Sequence, residues 1–168
     1  MTRLLICWQL VLLLVPLLAS VARADPAIVP DPSLTPGLAR PLTLTQVCNT
    51  KWGKDERLVT DAMKAQVYQE YKIAIQRQAG RWIFPTLPGG GSAYEIDHLI
   101  SRELAGADDV KNLWPEPYTG PWNAHMKDRV ENRLHVEVCA GRLNLQEAQQ
   151  QISTNWRAAF QRYFGEPQ

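Results

Sequence analysis

Histidine and cysteine are scarce in this chain, three of each in 168 residues, and neither sign of charge dominates, the formal net charge being +1. Near-neutrality speaks against a protein that coats nucleic acid by bulk charge, for which a strongly basic domain would be expected. A local basic patch from Lys111, Arg129 and Arg133 stays open, although interspersed charges such as KDRVENR read first as a solvated helix face. No internal repeat occurs. The glycine run in PTLPGGG, ending at Gly91, precedes a strand, whereas phosphate loops run from a strand into a helix N-terminus, so it reads as a flexible turn.

What is present begins with an address. Met1 to Ala24 combines an early positive charge at Arg3, an apolar run from Leu10 to Val21, and Ala22-Arg23-Ala24, the small-x-small pattern of a signal peptidase site. Leu4 to Ala22 is also about long enough to span a bilayer, so an uncleaved anchor is the alternative. Cleavage after Ala24 would leave 144 of the 168 residues, exported to the periplasm or secreted, with no stable membrane association. That length suits one domain with a core. Loss of Arg3 and Arg23 takes the 18 basic residues to 16, against 17 acidic ones. Cys7 leaves too, and the remaining Cys48 and Cys139 are expected to pair in an oxidising compartment, closing a long loop worth roughly 4 kcal/mol by the chain-entropy model.

Asp25 to Val47 carries prolines at 26, 30, 32, 36 and 41 without apolar periodicity and reads as an extended linker, with the domain spanning 48–165. Thr60 is positioned to cap a helix running to Ile75, with Met63, Val67, Tyr71 and Ile75 as its packing stripe. A strand is expected over Ala93 to His98, then a polar loop from Ser101 to Lys111. A brief strand Asn112-Leu113-Trp114 should end at Pro115 and Pro117. The clearest helix runs from about Trp122 to Ala140, with Pro121 at its start, Gly141 as its stop, and Trp122, Met126, Val130, Leu134 and Val138 as its stripe. A last helix opens at Asn144 with Glu147 three residues on, a capping-box pattern, and packs through Leu145, Ala148, Ile152, Trp156, Ala159 and Tyr163.

The chemistry concentrates in YEIDHLI, residues 94–100, where Glu95, Asp97 and His98 stand in an otherwise apolar stretch. A hairpin backed by one helix would bring Asp97-His98, Asn112 and the segment WNAHMKD together. Phosphodiester hydrolysis needs a base for the attacking water, which an imidazole supplies near neutral pH, and positive charge for the phosphate, which a divalent cation on hard oxygen ligands supplies. Glu95 reads as solvated or structural, His135 as a surface or packing residue, and Trp114 and Trp122 as core. A plain core histidine is the competing reading of His98.

Asp97-His98-Leu99-Ile100, Gly106, Asn112-Leu113, and Asn123 with Lys127 four residues later resemble the HNH endonucleases of the ββα-metal (His-Me finger) class. The likeness is greatest to small exported HNH-like proteins with an EIDHLI-type strand, an NLWPEP turn and a KDRVENRLH-type helix. The resemblance implies an α+β fold, a ββα-metal (HNH) core with additional packing helices before and after it. It implies a metal-dependent endonuclease with nucleic acid as partner, DNA before RNA. His98 would be the general base and Asn112 a brace for the loop and the imidazole. Asp97 would be a metal ligand, completed by Asn123 or His125. The ion would be magnesium first, with manganese or zinc as alternatives. Lys127 would meet a substrate phosphate.

With the helix starting at Trp122, Asn123 lies about 40° and His125 about 120° from the centre of the buried stripe, while an irregular first turn would favour His125. The chain departs from the family in lacking paired CxxC motifs, whose zinc clamp the disulfide would replace. A non-catalytic exported module that keeps the fold and binds a protein or envelope partner is the alternative function; an immunity partner is not identified by any residue.

Overall fold

The computed structural model describes residues 29–167, so the expected leader, 1–24, lies outside the described residues. The architecture is α+β, two short antiparallel two-stranded sheets flanked by helices. None of the described helices is long and apolar enough to cross a membrane.

Helix α1 spans Leu44–Asn49 and is opened by a reciprocal cap between Thr43 and Gln46. Regular structure therefore already includes residues upstream of Cys48. The proline-rich segment, expected to be an extended linker, turns at residues 32–34, where Leu34 and Thr35 N–H donate to Asp31 O, and it is not a free linker. Asp31 N–H donates to the Tyr71 hydroxyl (2.9 Å), the buried Thr35 hydroxyl donates to Leu113 O (2.8 Å), and Ala39 bridges to Gly106. Prolines lower the entropy lost when such a segment is fixed, so a few scattered hydrogen bonds suffice to hold it.

Helix α2, Asp61–Glu70, starts where Thr60 accepts the Met63 N–H, but it stops short of Ile75 because the chain turns at Lys72, with φ 57°. Tyr71 and Ile75 still pack with Val67, Tyr68, Ile96 and Leu113. Strands β1, Gln76–Gln78, and β2, Arg81–Ile83, form an exposed hairpin absent from the sequence expectation. Its two-residue turn, Ala79-Gly80, has positive φ at both positions, the requirement of a type I′ hairpin turn.

Strand β3, Tyr94–His98, pairs antiparallel with β4, Leu113–Pro117, in the register Asp97 to Trp114 and Glu95 to Glu116. The second strand was expected to end at Pro115, yet it continues through both prolines. Leu99 N–H donates to Asn112 O and Tyr118 N–H to Ala93 O, which places the ladder bonds at the even positions of β4. Residues 115 and 117 thus present their missing N–H groups to the unpaired edge, where nothing is lost. Alternation then sends Glu95, Asp97, Trp114 and Glu116 to one face and Ile96, His98 and Leu113 to the other.

Helix α3, Ala124–Cys139, lies against the first of these faces, with Gly141 (φ 71°) turning the chain beyond its end. Helix α4, Leu145–Phe164, is capped by Asn144 and packs on α3 through Ile152, Trp156 and Phe160 against Val130, Leu134 and Val138. Trp114 is fully buried, and Trp122 stacks edge-on against Trp156 and Phe160, so both are core residues. The Cys48–Cys139 disulfide, Cα–Cα 5.5 Å, ties α1 to the far end of α3.

The loop between β3 and β4 is knotted by Asn112, which is fully buried. Its Oδ1 accepts from Ile100 N–H (2.9 Å) and Leu38 N–H (3.3 Å), and its Nδ2 donates to Ile100 O (3.0 Å) and Ala107 O (3.1 Å). Gly106 passes so close to this knot that a Cβ there would meet the Ile100 carbonyl oxygen at 1.7 Å. Asn112→Ala would leave several buried backbone groups unpartnered, and we expect a loss of about 3 kcal/mol or more in denaturant unfolding of the mature protein.

Candidate functional site

Because β3 alternates, the adjacent Asp97 and His98 point into different surroundings. His98 is 3% exposed, and its Nε2 lies 2.7 Å from Asp108 Oδ1. Burial pushes the Asp108 carboxyl up, but the Leu58 N–H and His98 outweigh it and hold the group below its ordinary range. An ionised Asp108 accepts, so Nε2 carries the hydrogen and Nδ1 keeps its lone pair. Nδ1 lies 4.0 Å from Asp97 Oδ1. Burial, partly opposed by Asp97 and Asp108, lowers the His98 pKa below its usual value, leaving a neutral imidazole at pH 7.

Asp97, His98 and Glu131 share the wall of an open cavity of about 310 Å³, where Arg57 and Arg102 supply guanidinium groups. Arg57 is held by its bond to Ile96 O (2.8 Å), and its side chain is 40% exposed. Arg102 is occupied by Asp55 and lies 3.5 Å from Asp108. Asp108 was not singled out from the sequence; an acid in the loop following a strand-end histidine is the signal that could have found it.

On the helix-facing side the residue that meets Asp97 is Lys127, and it is fully buried. Its Nζ lies 2.7 Å from Asp97 Oδ2, 2.6 Å from His98 O and 3.9 Å from Glu116 Oε2, and it also pairs with Glu131. The phosphate contact expected of Lys127 is thereby corrected, because an ammonium with no exposed surface cannot reach a substrate. Burial works to discharge it, but Asp97, Glu131 and Glu116 outweigh burial and hold its pKa well above the ordinary lysine value. Asp97 is likewise kept ionised against burial by Lys127 and His98. Glu116 is 1% exposed and neither oxygen accepts a hydrogen bond. Burial drives its pKa far up, so it keeps its proton and can donate toward Asp97. Glu131 is raised to about 8, chiefly by burial.

The ligand set expected around Asp97 does not assemble. The helix begins at Ala124, leaving Asn123 in the cap position, where its Nδ2 bonds Gly120 O (2.8 Å) and its Oδ1 is buried without a partner. His125 is 75% exposed, with Asp128 at 4.0 Å and the Tyr118 ring as neighbours. Neither residue is within hydrogen-bond or ion-pair reach of Asp97, whose carboxylate is engaged by Lys127. A divalent ion therefore does not fit this cleft as built. Glu95, expected to be solvated or structural, accepts from the Tyr118 hydroxyl (2.9 Å).

A different cluster can hold a metal. Cys48, His135 and Cys139 place their ligand atoms within 4.8 Å of one another, the one such trio of His, Cys, Asp or Glu side chains among the described residues. It can coordinate an ion only when the cysteines are thiolates, since disulfide sulfurs lack that charge. His135, expected to be a surface or packing residue, thus sits beside the cysteine pair, with Glu103 at 4.0 Å from its Nδ1. Glu103, 4.0 Å from His135, and Glu131 and Asn132 on the preceding turn of α3 line the His98 cavity, so the cluster stands beside that cavity, although none of its own three residues lines it.

Glu131, Glu116, Glu103 and Glu95 all have folded pKa values raised above the ordinary 4.5, so the folded state binds more protons than the unfolded chain above that pH. Stability therefore falls as pH rises from 4.5 toward about 8, the Glu131 value. Asp97 and Asp108 act oppositely, their contribution being lost as pH falls below 3.8. We expect melting temperatures followed by circular dichroism to peak between these limits, and Glu131→Gln to flatten the alkaline decline. An unchanged decline in that variant would remove Glu131 as its source.

Comparison of the chain with family models, curated proteins and solved structures finds no match, so the functional reading rests on the residues of this cavity and on the resemblance of their pattern.

Proposed function

We propose that the chain is an exported HNH-type endonuclease that hydrolyses phosphodiester bonds of nucleic acid, DNA being the first substrate to test, with His98 as general base. The observation that carries this reading is His98 on the wall of a solvent-open cavity with its Nε2 paired to Asp108. A carboxylate that fixes one imidazole nitrogen as donor leaves the other free to take a proton from an attacking water. The imidazolium formed is stabilised by Asp108 and by Asp97 on its other side. Arg57, partly exposed at the cavity, is the group placed to meet a phosphate, the role expected earlier of Lys127. Asn112 acts at one remove by bracing the loop that delivers Asp108.

The magnesium, manganese or zinc ion implied by the resemblance has no assembled ligand set at Asp97, Asn123 and His125, and no step is assigned to it. The Cys48–His135–Cys139 cluster would hold an ion only as a dithiol, and none of its three residues lines the His98 cavity. A second reading, a non-catalytic exported module binding a protein or envelope partner, is favoured by the near-complete burial of His98.

Nicking of supercoiled plasmid by the mature protein separates the two readings. We expect His98→Ala to lower the rate by about 100-fold or more, and Asp108→Asn to lower it substantially by releasing the imidazole. Full activity in His98→Ala would sink the assignment. The base works unprotonated, so the rate should rise with pH through the His98 pKa, with a midpoint below the ordinary 6.5. Removing the Asp108 charge should move that midpoint lower still.

A further inference from the structure

We propose that the Lys127 ammonium is the resident cation of the cleft between hairpin and helix, standing where a metal-dependent ββα site would hold a divalent ion, so that chemistry at His98 proceeds without metal. The metal-free part rests on the nuclease reading above; the occupation of the cleft by Lys127 does not. A divalent ion in such a cleft would draw on the strand carboxylate beside the histidine and on oxygen ligands from the facing helix. In this chain those oxygens converge on nitrogen. Asp97 Oδ2 and the His98 carbonyl lie 2.7 and 2.6 Å from Nζ, Glu131 from the next helical turn pairs with it, and Glu116 stands 3.9 Å away.

The three bonds to Asp97, His98 O and Glu131 match the three donors of an ammonium. Lys127 and Glu131 are spaced i, i+4 on α3, so both side chains reach the same spot without distortion. Lys127 has no exposed surface, so it cannot swing out to make room for an ion without opening the interface between α3 and the hairpin. At the helix start Asn123 is held through Nδ2 by Gly120 O and does not pair with Asp97, and His125 is exposed to solvent. One positive charge thus keeps Asp97 ionised beside His98 and anchors the helix.

The test is Mn2+ binding to the mature, disulfide-intact protein, read by electron paramagnetic resonance of free Mn2+, alongside plasmid nicking in EDTA. The wild type is expected to show no Mn2+ binding that Asp97→Asn removes, and its nicking should persist in EDTA. Lys127→Ala, which leaves the carboxylates facing an empty space, should gain Mn2+ affinity by roughly tenfold or more over the wild type. Asp97-dependent Mn2+ binding by the wild type would overturn the occupation of the cleft by Lys127, and loss of nicking in EDTA would overturn the metal-free step. Mn2+ that survives Asp97→Asn lies outside the cleft and leaves the proposal standing. If Lys127→Ala does not fold, the wild-type and Asp97→Asn titrations decide by themselves. A protein that never nicks plasmid would defeat the nuclease reading while the Mn2+ titration still judges Lys127.

Discussion

An ammonium removed from water must be surrounded by oxygens, and Lys127 meets that demand only if α3 lies against the β3–β4 hairpin in one register. Asp97 and Glu116 come from the two strands, the His98 carbonyl from the end of β3, and Glu131 from the helix itself. An apolar interface would tolerate sliding with small losses, whereas a buried charge loses several kcal/mol when a partner departs. The ion cluster thus supplies register where the α3–α4 interface supplies apolar burial.

The same geometry divides the work of two neighbouring residues. Strand alternation sends Asp97 into the ion cluster and His98 toward Asp108 and the cavity. A carboxylate engaged by an ammonium remains ionised in a place where burial alone would protonate it. Its remaining oxygen stands beside the imidazole, where it favours the cationic form that a general base must pass through. Structure and chemistry are therefore coupled at Asp97, and the loop held by Asn112 completes the arrangement by bringing Asp108 beneath the histidine.

Much of this was legible along the chain. Thr60 and Asn144 as caps, Gly141 as a stop, the strand ending at His98, and the pairing of Cys48 with Cys139 all follow from local chemistry and the count of thiols. Of the expected stripe of α3, Val130, Leu134 and Val138 are buried as their spacing implies, Met126 is partly buried and Trp122 precedes the helix. Other features depend on partners far away in sequence. The prolines of β4 read as strand-breakers because the sequence does not reveal which edge of a hairpin will be unpaired. The proline-rich segment read as a linker because its contacts are scattered single hydrogen bonds, to Tyr71, Ala105, Lys111, Asn112 and Leu113, with no periodic pattern in the residues that make them.

The sequence by itself determined which residue types would meet, a strand carrying Asp97 and His98 opposite a helix carrying Asn123, His125 and Lys127. The tertiary structure alone decided their roles. Asn123 became the cap of α3, which begins at Ala124, and His125 stayed in solvent on the side away from the buried stripe, while Lys127, one turn beyond Asn123, reached the carboxylate. Helical position advances about 100° per residue, so the stripe Val130, Leu134 and Val138 already sets the phase of His125 and Lys127; spacing does not show which long side chain on the buried side reaches the strand carboxylate. Periodicity gives the faces of a helix, but only packing against the hairpin fixes its height and rotation.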